Sequence, residues 1–148
     1  MLFHTATWTL LSYPCNKRDA NYTIPNATTF IGKDAFAGCD FLQTIRISSS
    51  VTIIDCNAFN ACHNLHSVFI SESVSNISNG AFSSCSSLSI VTIPSTVVSI
   101  GKQAFFSCNS LENLTLPDSI TYIGENAFAY CPNLTLTVPR NSYAAEYA

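Results

Sequence analysis

The chain has 148 residues, one domain by length. Charged residues make up 10%, against roughly 25% in an average protein, and the net charge is −3 with six Lys/Arg scattered along the chain. That distribution excludes the basic stripe a nucleic-acid binder needs. No apolar run approaches the roughly 18 residues of a membrane span, and Met1–Leu11 lacks the basic and continuous apolar regions of a signal peptide.

In chain order, Thr5 to Tyr13 alternates loosely around Trp8 and is expected to add an edge strand over a first layer. Tyr22-Thr23-Ile24-Pro25 followed by Phe30-Ile31 is a partial unit, since Ile24 to Ile31 is the same seven-residue step as Ile93 to Ile100. A phrase Ile-x-x-x-Ala-Phe-x-x-Cys-x-x-Leu then starts at Ile31, Ile54, Ile77, Ile100 and Ile123, a constant period of 23 residues. Self-similarity at this period predicts a stacked solenoid, not a globule with a central pocket. The units run 31–53, 54–76, 77–99, 100–122 and a shortened 123–139. Residues 1–30 form an N-terminal cap with the partial repeat, and 140–148 a C-terminal cap, all within a single domain of residues 1–148.

Within each unit the Ala-Phe-x-x-Cys segment has apolar residues at i, i+1 and i+4, which fits one turn of helix or a 3₁₀ turn. After the leucine comes an alternating stretch, Ile45-Arg46-Ile47, Val68-Phe69-Ile70, Val91-Thr92-Ile93 and Leu114-Thr115-Leu116, predicted as one short strand per unit. Pro94 and Pro117 end two of these strands. A second apolar anchor follows at Val51, Val74, Val97 and Ile120. Roughly eight positions per unit point inward, more than one unit can bury alone, so about three stacked copies are the minimum for stability. The strands should pair in parallel at about 4.8 Å spacing. Their outward residues then line up in two columns, Thr44, Ser67, Ile90, Asn113 and Arg46, Phe69, Thr92, Thr115. At the far end Leu134 to Pro139 is one residue short of the register, and Ser142 to Ala148 has helix-forming composition suited to covering the last layer.

Five of the seven cysteines (39, 62, 85, 108, 131) belong to the ladder and read as buried, inward-facing thiols. Their parallel Cβ bonds disfavour bridging between neighbours. Cys15 and Cys56 lie off the ladder without an evident partner, and a Cys15–Cys56 bridge is disfavoured, so all seven thiols are expected to be reduced. Asp55, Cys56, Cys62, His63 and His66 lie close in sequence but match no zinc-finger spacing. They read as ordinary loop and core residues, with no metal and no cofactor expected. Five Asn-x-Ser/Thr sequons, at Asn21, Asn26, Asn76, Asn113 and Asn133, hint only weakly at an extracellular location.

The pattern Leu-x-x-Ile/Val-x-Ile-Pro-x-x-Val-x-x-Ile-Gly-x-x-Ala-Phe-x-x-Cys, clearest from Leu88 to Cys108 and Leu111 to Cys131, resembles the BspA-like, Treponema-type class of leucine-rich repeats. The resemblance covers about Tyr22 to Pro139. Ile47-Ser48 and Ile70-Ser71 lack the proline, and Asp55 and Ser78 replace the glycine, changes that bear on turn stiffness. What the resemblance implies is a leucine-rich repeat solenoid, β-rich, with the parallel sheet on its concave side and short helical or 3₁₀ turns opposite. It also implies a setting on the cell surface, with a cytoplasmic location left open by the absence of a signal peptide. The class carries no catalytic residues to transfer, and no acid–base pair or phosphate loop appears in this chain.

The functional expectation is therefore a non-enzymatic protein-interaction module, with adhesion the setting the resemblance implies, that binds a protein, such as a host or matrix protein, or a glycan through the solenoid surface as part of a surface protein. The alternative is a structural spacer in a longer surface protein. The candidate binding residues are the two columns: Thr44, Arg46, Ser67, Phe69, Ile90, Thr92, Asn113 and Thr115. Phe69 would anchor, Arg46 would supply charge-specific contact, and the Ser/Thr positions a hydrogen-bonding rim.

Overall fold

The computed structural model describes residues 1–140 and 142–147; Asn141 and Ala148, both in the expected C-terminal cap, lie outside the described residues. Among the described residues thirteen short strands and one helix follow in order: β1 (Leu2–His4), β2 (Thr9–Ser12), β3 (Asn21–Thr23), β4 (Phe30–Ile31), β5 (Thr44–Arg46), β6 (Ile53–Ile54), β7 (Ser67–Phe69), β8 (Asn76–Ile77), β9 (Ile90–Thr92), β10 (Ser99–Ile100), β11 (Asn113–Thr115), β12 (Tyr122–Ile123), β13 (Thr135–Thr137) and α1 (Tyr143–Tyr147). Every neighbouring pair is parallel except β1 with β2.

Each coil contributes two strands, not one. The predicted three-residue strands form the sheet β3-β5-β7-β9 and a separate pair β11-β13. The Ile that begins each repeat, with the residue before it, forms a second ladder, β2-β4-β6-β8-β10-β12, with β1 antiparallel at one edge. Two residues are too few to show alternation, which is why periodicity missed this sheet. The edge strand foreseen in Thr5–Tyr13 is β2, and it joins this second ladder. At the far end Leu136 pairs with Leu114, a step of 22, so the shortened register is accommodated without losing the pairing.

The Ala-Phe-x-x-Cys segments are tight turns closed by 3₁₀-type i to i+3 bonds, such as Ala35 N to Gly32 O at 3.2 Å and Cys39 N to Phe36 O at 3.1 Å. They do not lengthen into helices because two positions per unit sit in the left-handed region. One set is Asp34, Asn57, Gly80, Gln103 and Asn126; the other is Gly38, Ala61, Ser84, Ser107 and Tyr130, all with φ between 55° and 71°. Alternate amides are thereby freed for the next coil. Phe36, Phe59, Phe82 and Phe105 each donate to the alanine carbonyl one unit ahead, at 2.7 or 2.8 Å. A residue with a Cβ pays on the order of 1–2 kcal/mol for the left-handed region. Ala61→Gly should therefore raise stability by about 1 kcal/mol, or a few degrees in Tm, and a Tm unchanged or lowered in a thermal melt would contradict this geometry.

The core runs along the axis. Ile45, Val68, Val91 and Leu114 face inward from one side and Ile31, Ile54, Ile77, Ile100 and Ile123 from the other, all buried, with Val51, Val74, Val97 and Ile120 between them. At the turns a column of rings, Tyr13, Phe36, Phe59, Phe82, Phe105 and Phe128, stacks at centroid spacings of 4.8 to 5.5 Å. Tyr22 leans on its first rings and Tyr147 of α1 meets Phe128 edge-on at 6.1 Å. Ala144 of α1 is fully buried, so the helix covers the last coil as its composition implied.

The cysteine ladder has a polar task as well as a packing one. Cys62, Cys85, Cys108 and Cys131 donate their S–H to the carbonyl of the phenylalanine 26 residues earlier, at 3.0 to 3.2 Å. That carbonyl also accepts the turn's own backbone bond. Burial pushes the Cys62 thiol up to about 12 and raises that of Cys85 as well, so both stay protonated and able to donate at neutral pH. Cys131, at the last coil, is only half-buried.

The expectation that all seven cysteines are reduced is corrected. Cys15 forms a disulfide with Cys39, with Cα atoms 4.5 Å apart, while Cys56, Cys62, Cys85, Cys108 and Cys131 are free. The ladder rule holds between successive repeats, where the Cβ bonds run parallel. It fails at the first repeat because Cys15, two residues after Tyr13 stacks on Phe36 in register, stands one residue off the 23-residue step, 24 before Cys39.

Candidate functional site

The strand sheet sets Thr44, Ser67 and Ile90 side by side, and next to them Arg46, Phe69 and Thr92. Both predicted columns exist over these three strands. They also extend one strand further than the repeat phrase suggested. In β3, Asn21 pairs with Thr44 and Thr23 with Arg46. Counting back 23 residues from Thr44 and Arg46 finds these two positions in the sequence. Asn113 and Thr115 are exposed as expected, but β11 is not laddered to β9; it pairs with β13. The eight candidates therefore fall into a group of six on one sheet and a pair on another.

Within the larger group Arg46 lies over the ring of Phe69, 4.3 Å from guanidinium carbon to centroid. Registered neighbours on parallel strands stand about 4.8 Å apart, so a long cation beside an aromatic settles on its face. Such a contact contributes about 0.5–1 kcal/mol at an exposed site. Phe69 nevertheless keeps 42% of its surface exposed and Ile90 keeps 48%. Around the pair lies a depression of about 410 Å³ lined by Asn21, Tyr22, Thr23, Thr44, Arg46, Ser67 and Phe69.

Ser67 departs from its expected role as an exposed rim residue, being only 6% exposed. Its small side chain is flanked by Thr44 and Ile90 in its own column and by the longer Arg46 and Phe69 in the next. It thus lies low among its neighbours, at the floor of the depression.

Electrostatically the depression is one-sided. Arg46 is its only ionised group, and among the described residues no carboxylate approaches the guanidinium within the 4.0 Å of an ion pair. The ion pairs present, Lys17–Asp19, His63–Asp40 and Lys102–Glu125, join other residues. A second cation–aromatic pair, Arg18 over Phe41 at 5.5 Å, was not foreseen, because both residues lie outside the strand columns.

The Asp55, Cys56, Cys62, His63, His66 group is dispersed. His63 Nδ1 meets Asp40 at 2.9 Å and His66 Nδ1 meets the Ser89 hydroxyl at 3.0 Å, while the Cys62 thiol turns inward to Phe36. Among the described residues no three His, Cys, Asp or Glu side chains converge as metal ligands. Asp40, His63 and Ser86 share one column at the 23-residue step, yet the Ser86 hydroxyl donates to the His63 main-chain carbonyl at 3.3 Å, not to the imidazole. Nor does any helix among the described residues have the length and apolarity to cross a membrane.

Among solved structures, the chain is similar to a leucine rich cell surface protein from Faecalibacterium prausnitzii A2-165, with a TM-score of 0.87 and 31% identity over 95% of this chain and 37% of that one. It is similar also to the leucine rich repeat protein of T. pallidum, with a TM-score of 0.82 and 30% identity over 86% of this chain and 62% of that one. A leucine-rich repeat protein from Bacteroides ovatus ATCC 8483 matches with a TM-score of 0.75 and 34% identity over 80% of this chain and 33% of that one. The chain thus spans between a third and two thirds of the length of these proteins. No match occurs among curated proteins. The family pattern described as "BspA type Leucine rich repeat region" matches residues 14–135 in six copies. Parallel coils at a 23-residue step, the aromatic and cysteine ladders and this match agree: the chain belongs to the BspA-type leucine-rich repeat family.

Proposed function

We propose that the chain is a non-enzymatic recognition module that binds a protein or glycan partner through the β3-β5-β7-β9 sheet, as part of a surface protein. The observation that carries this is the Arg46–Phe69 stack beside the exposed Ile90, a cation, an aromatic and an aliphatic group grouped on one rigid sheet face. Arg and aromatic residues of this kind dominate binding energy where they are central and well packed. Supporting an extracellular setting, the Cys15–Cys39 disulfide belongs to the chemistry of oxidising compartments, and one similar protein is described as a cell surface protein. Asn113 and Thr115, on the separate β11-β13 sheet, would serve as an outlying contact.

The test is binding of the wild-type chain and of an Arg46→Glu/Phe69→Ala double variant to arrayed glycans and purified matrix proteins. A specific partner should lose at least about tenfold in affinity on the double substitution, the loss typical of two central contacts. If nothing binds the wild type, or both chains bind alike, the sheet is a spacer face and the proposal fails.

A further inference from the structure

The depression around Arg46 has a composition that selects its occupant. Of its seven lining residues, five carry polar side chains, Asn21, Thr23, Thr44, Arg46 and Ser67, that take no hydrogen bond from any described residue, while the Tyr22 hydroxyl is spent on Met1 Sδ. Ser67 lies lowest, only 6% exposed, and its hydroxyl takes no hydrogen bond from a described residue but opens onto the depression. Around one unpaired guanidinium thus stand three hydroxyls and an amide, each with free donor and acceptor capacity. The surrounding protein is acidic overall, with a net charge of −3, so the positive charge here is a local exception.

Resting on the reading above, we propose that this depression binds a carboxylate-bearing sugar unit, a uronic-acid residue, with its carboxylate on Arg46 and its ring hydroxyls on Asn21, Thr23, Thr44 and Ser67. The charge calls for an anion, and a planar guanidinium suits a carboxylate in two-point contact. The hydroxyl and amide groups call for several neutral donors and acceptors close together, as on a pyranose ring. An acidic peptide matches less well. Its main chain needs free backbone partners, and of the strands that line the depression β5 and β7 are laddered on both sides, leaving only the edge strand β3 to offer any. The size agrees too: about 410 Å³ equals the volume of roughly a dozen waters at ~30 Å³ each, room for one sugar ring and its residual hydration. The exposed Ile90 lies outside the lining, where it can meet an aglycone or the next unit.

The experiment is an NMR titration of the isotopically labelled chain with methyl glucuronide, methyl glucoside and N-acetylglutamate methylamide. The glucuronide should shift resonances of the lining residues and bind at least about tenfold more tightly than the neutral glucoside, the difference one charge-assisted contact makes. Arg46→Gln should remove about that factor and Ser67→Val a smaller one, whereas Lys33→Gln, the same charge change at an exposed turn, should leave binding intact. Equal binding of glucoside, wild-type affinity in Arg46→Gln, tighter binding of the glutamate amide, or no binding of any probe would each overturn the proposal. The array with the double variant separates the two levels. A partner lost there without glucuronide binding here sinks the sugar assignment and leaves the recognition face standing.

Discussion

Phe82→Ala is expected to be the most damaging single substitution considered, lowering stability by roughly 3–5 kcal/mol. Phe82 is fully buried at the middle of the ring column, stacked on Phe59 at 5.2 Å and Phe105 at 5.3 Å. Its loss leaves a void that two coils share, and in a solenoid the interface with the next coil is most of what holds each coil in place. At about 2–4 °C per kcal/mol for a chain of this size, the melting temperature should fall by about 10 °C. Phe128→Ala should cost less, since Phe128 is already 8% exposed at the end of the column and meets only an edge-on Tyr147 on its far side. Urea or thermal unfolding of the two variants measures this. Equal losses, or a loss at Phe82 below about 1 kcal/mol, would mean that the rings do not carry the stacking energy.

Opening the Cys15–Cys39 disulfide should be the second large effect. The bridge joins cysteines 24 apart in sequence, and closing a loop of that size restricts the unfolded chain by about 3.5 kcal/mol on the chain-entropy account. Cys15→Ser, or reduction of the native protein, should lower the unfolding midpoint accordingly. The loss should concentrate at residues 13–24, where hydrogen exchange would quicken before it does at Phe82. Denatured without reductant, the protein should titrate five thiols, and with reductant seven, the five being the free cysteines and the seven the full count. Seven thiols without reductant would restore the all-reduced expectation.

The difference between Cys39 and its four ladder mates shows where sequence reading stops. A period of 23 identifies which positions are equivalent, and so which side chains share a column, because equivalent positions receive equivalent neighbours. Ile45, Val68, Val91 and Leu114 were legible as core for that reason, and Arg46 beside Phe69 was legible as a pair. The 23-residue step places Asn16, not Cys15, opposite Cys39, so the bridge left no mark in the pattern. The second ladder of two-residue strands was hidden for another reason: its signal is the same Ile that marks the repeat, with no alternation around it. Ser67 was placed in the right column and at the wrong depth. Register is set by spacing along the chain, but depth depends on the size of neighbours on other strands. The split between β9 and β11 likewise depends on how successive coils lie against each other, which a repeat phrase does not encode.

The turn bonds between coils have a consequence for how such a chain changes length. Each coil offers the same amides forward, at positions such as Phe36, Phe59 and Phe82, and the same alanine carbonyls backward. Its ring stacks on one neighbour with each of its two faces. The tyrosines of the N-terminal stack (Tyr13, Tyr22) and of α1 (Tyr147) stand at the two ends and phenylalanines fill the middle, so the parts suited to an end and the parts suited to an interior are separate. Removing residues 77–99 as a block would bring the turn donors of one coil to the alanine carbonyls of the next but one, keeping the backbone turn bonds and the ring stack while side-chain bonds such as Asn76 to Ser99 and Lys102 N to Asn79 are lost. At its turns the coil behaves as an interchangeable unit: insertion or loss of one whole period alters the reach of the molecule and the length of the columns on its face, while the backbone bonds and ring stack at each turn keep their form.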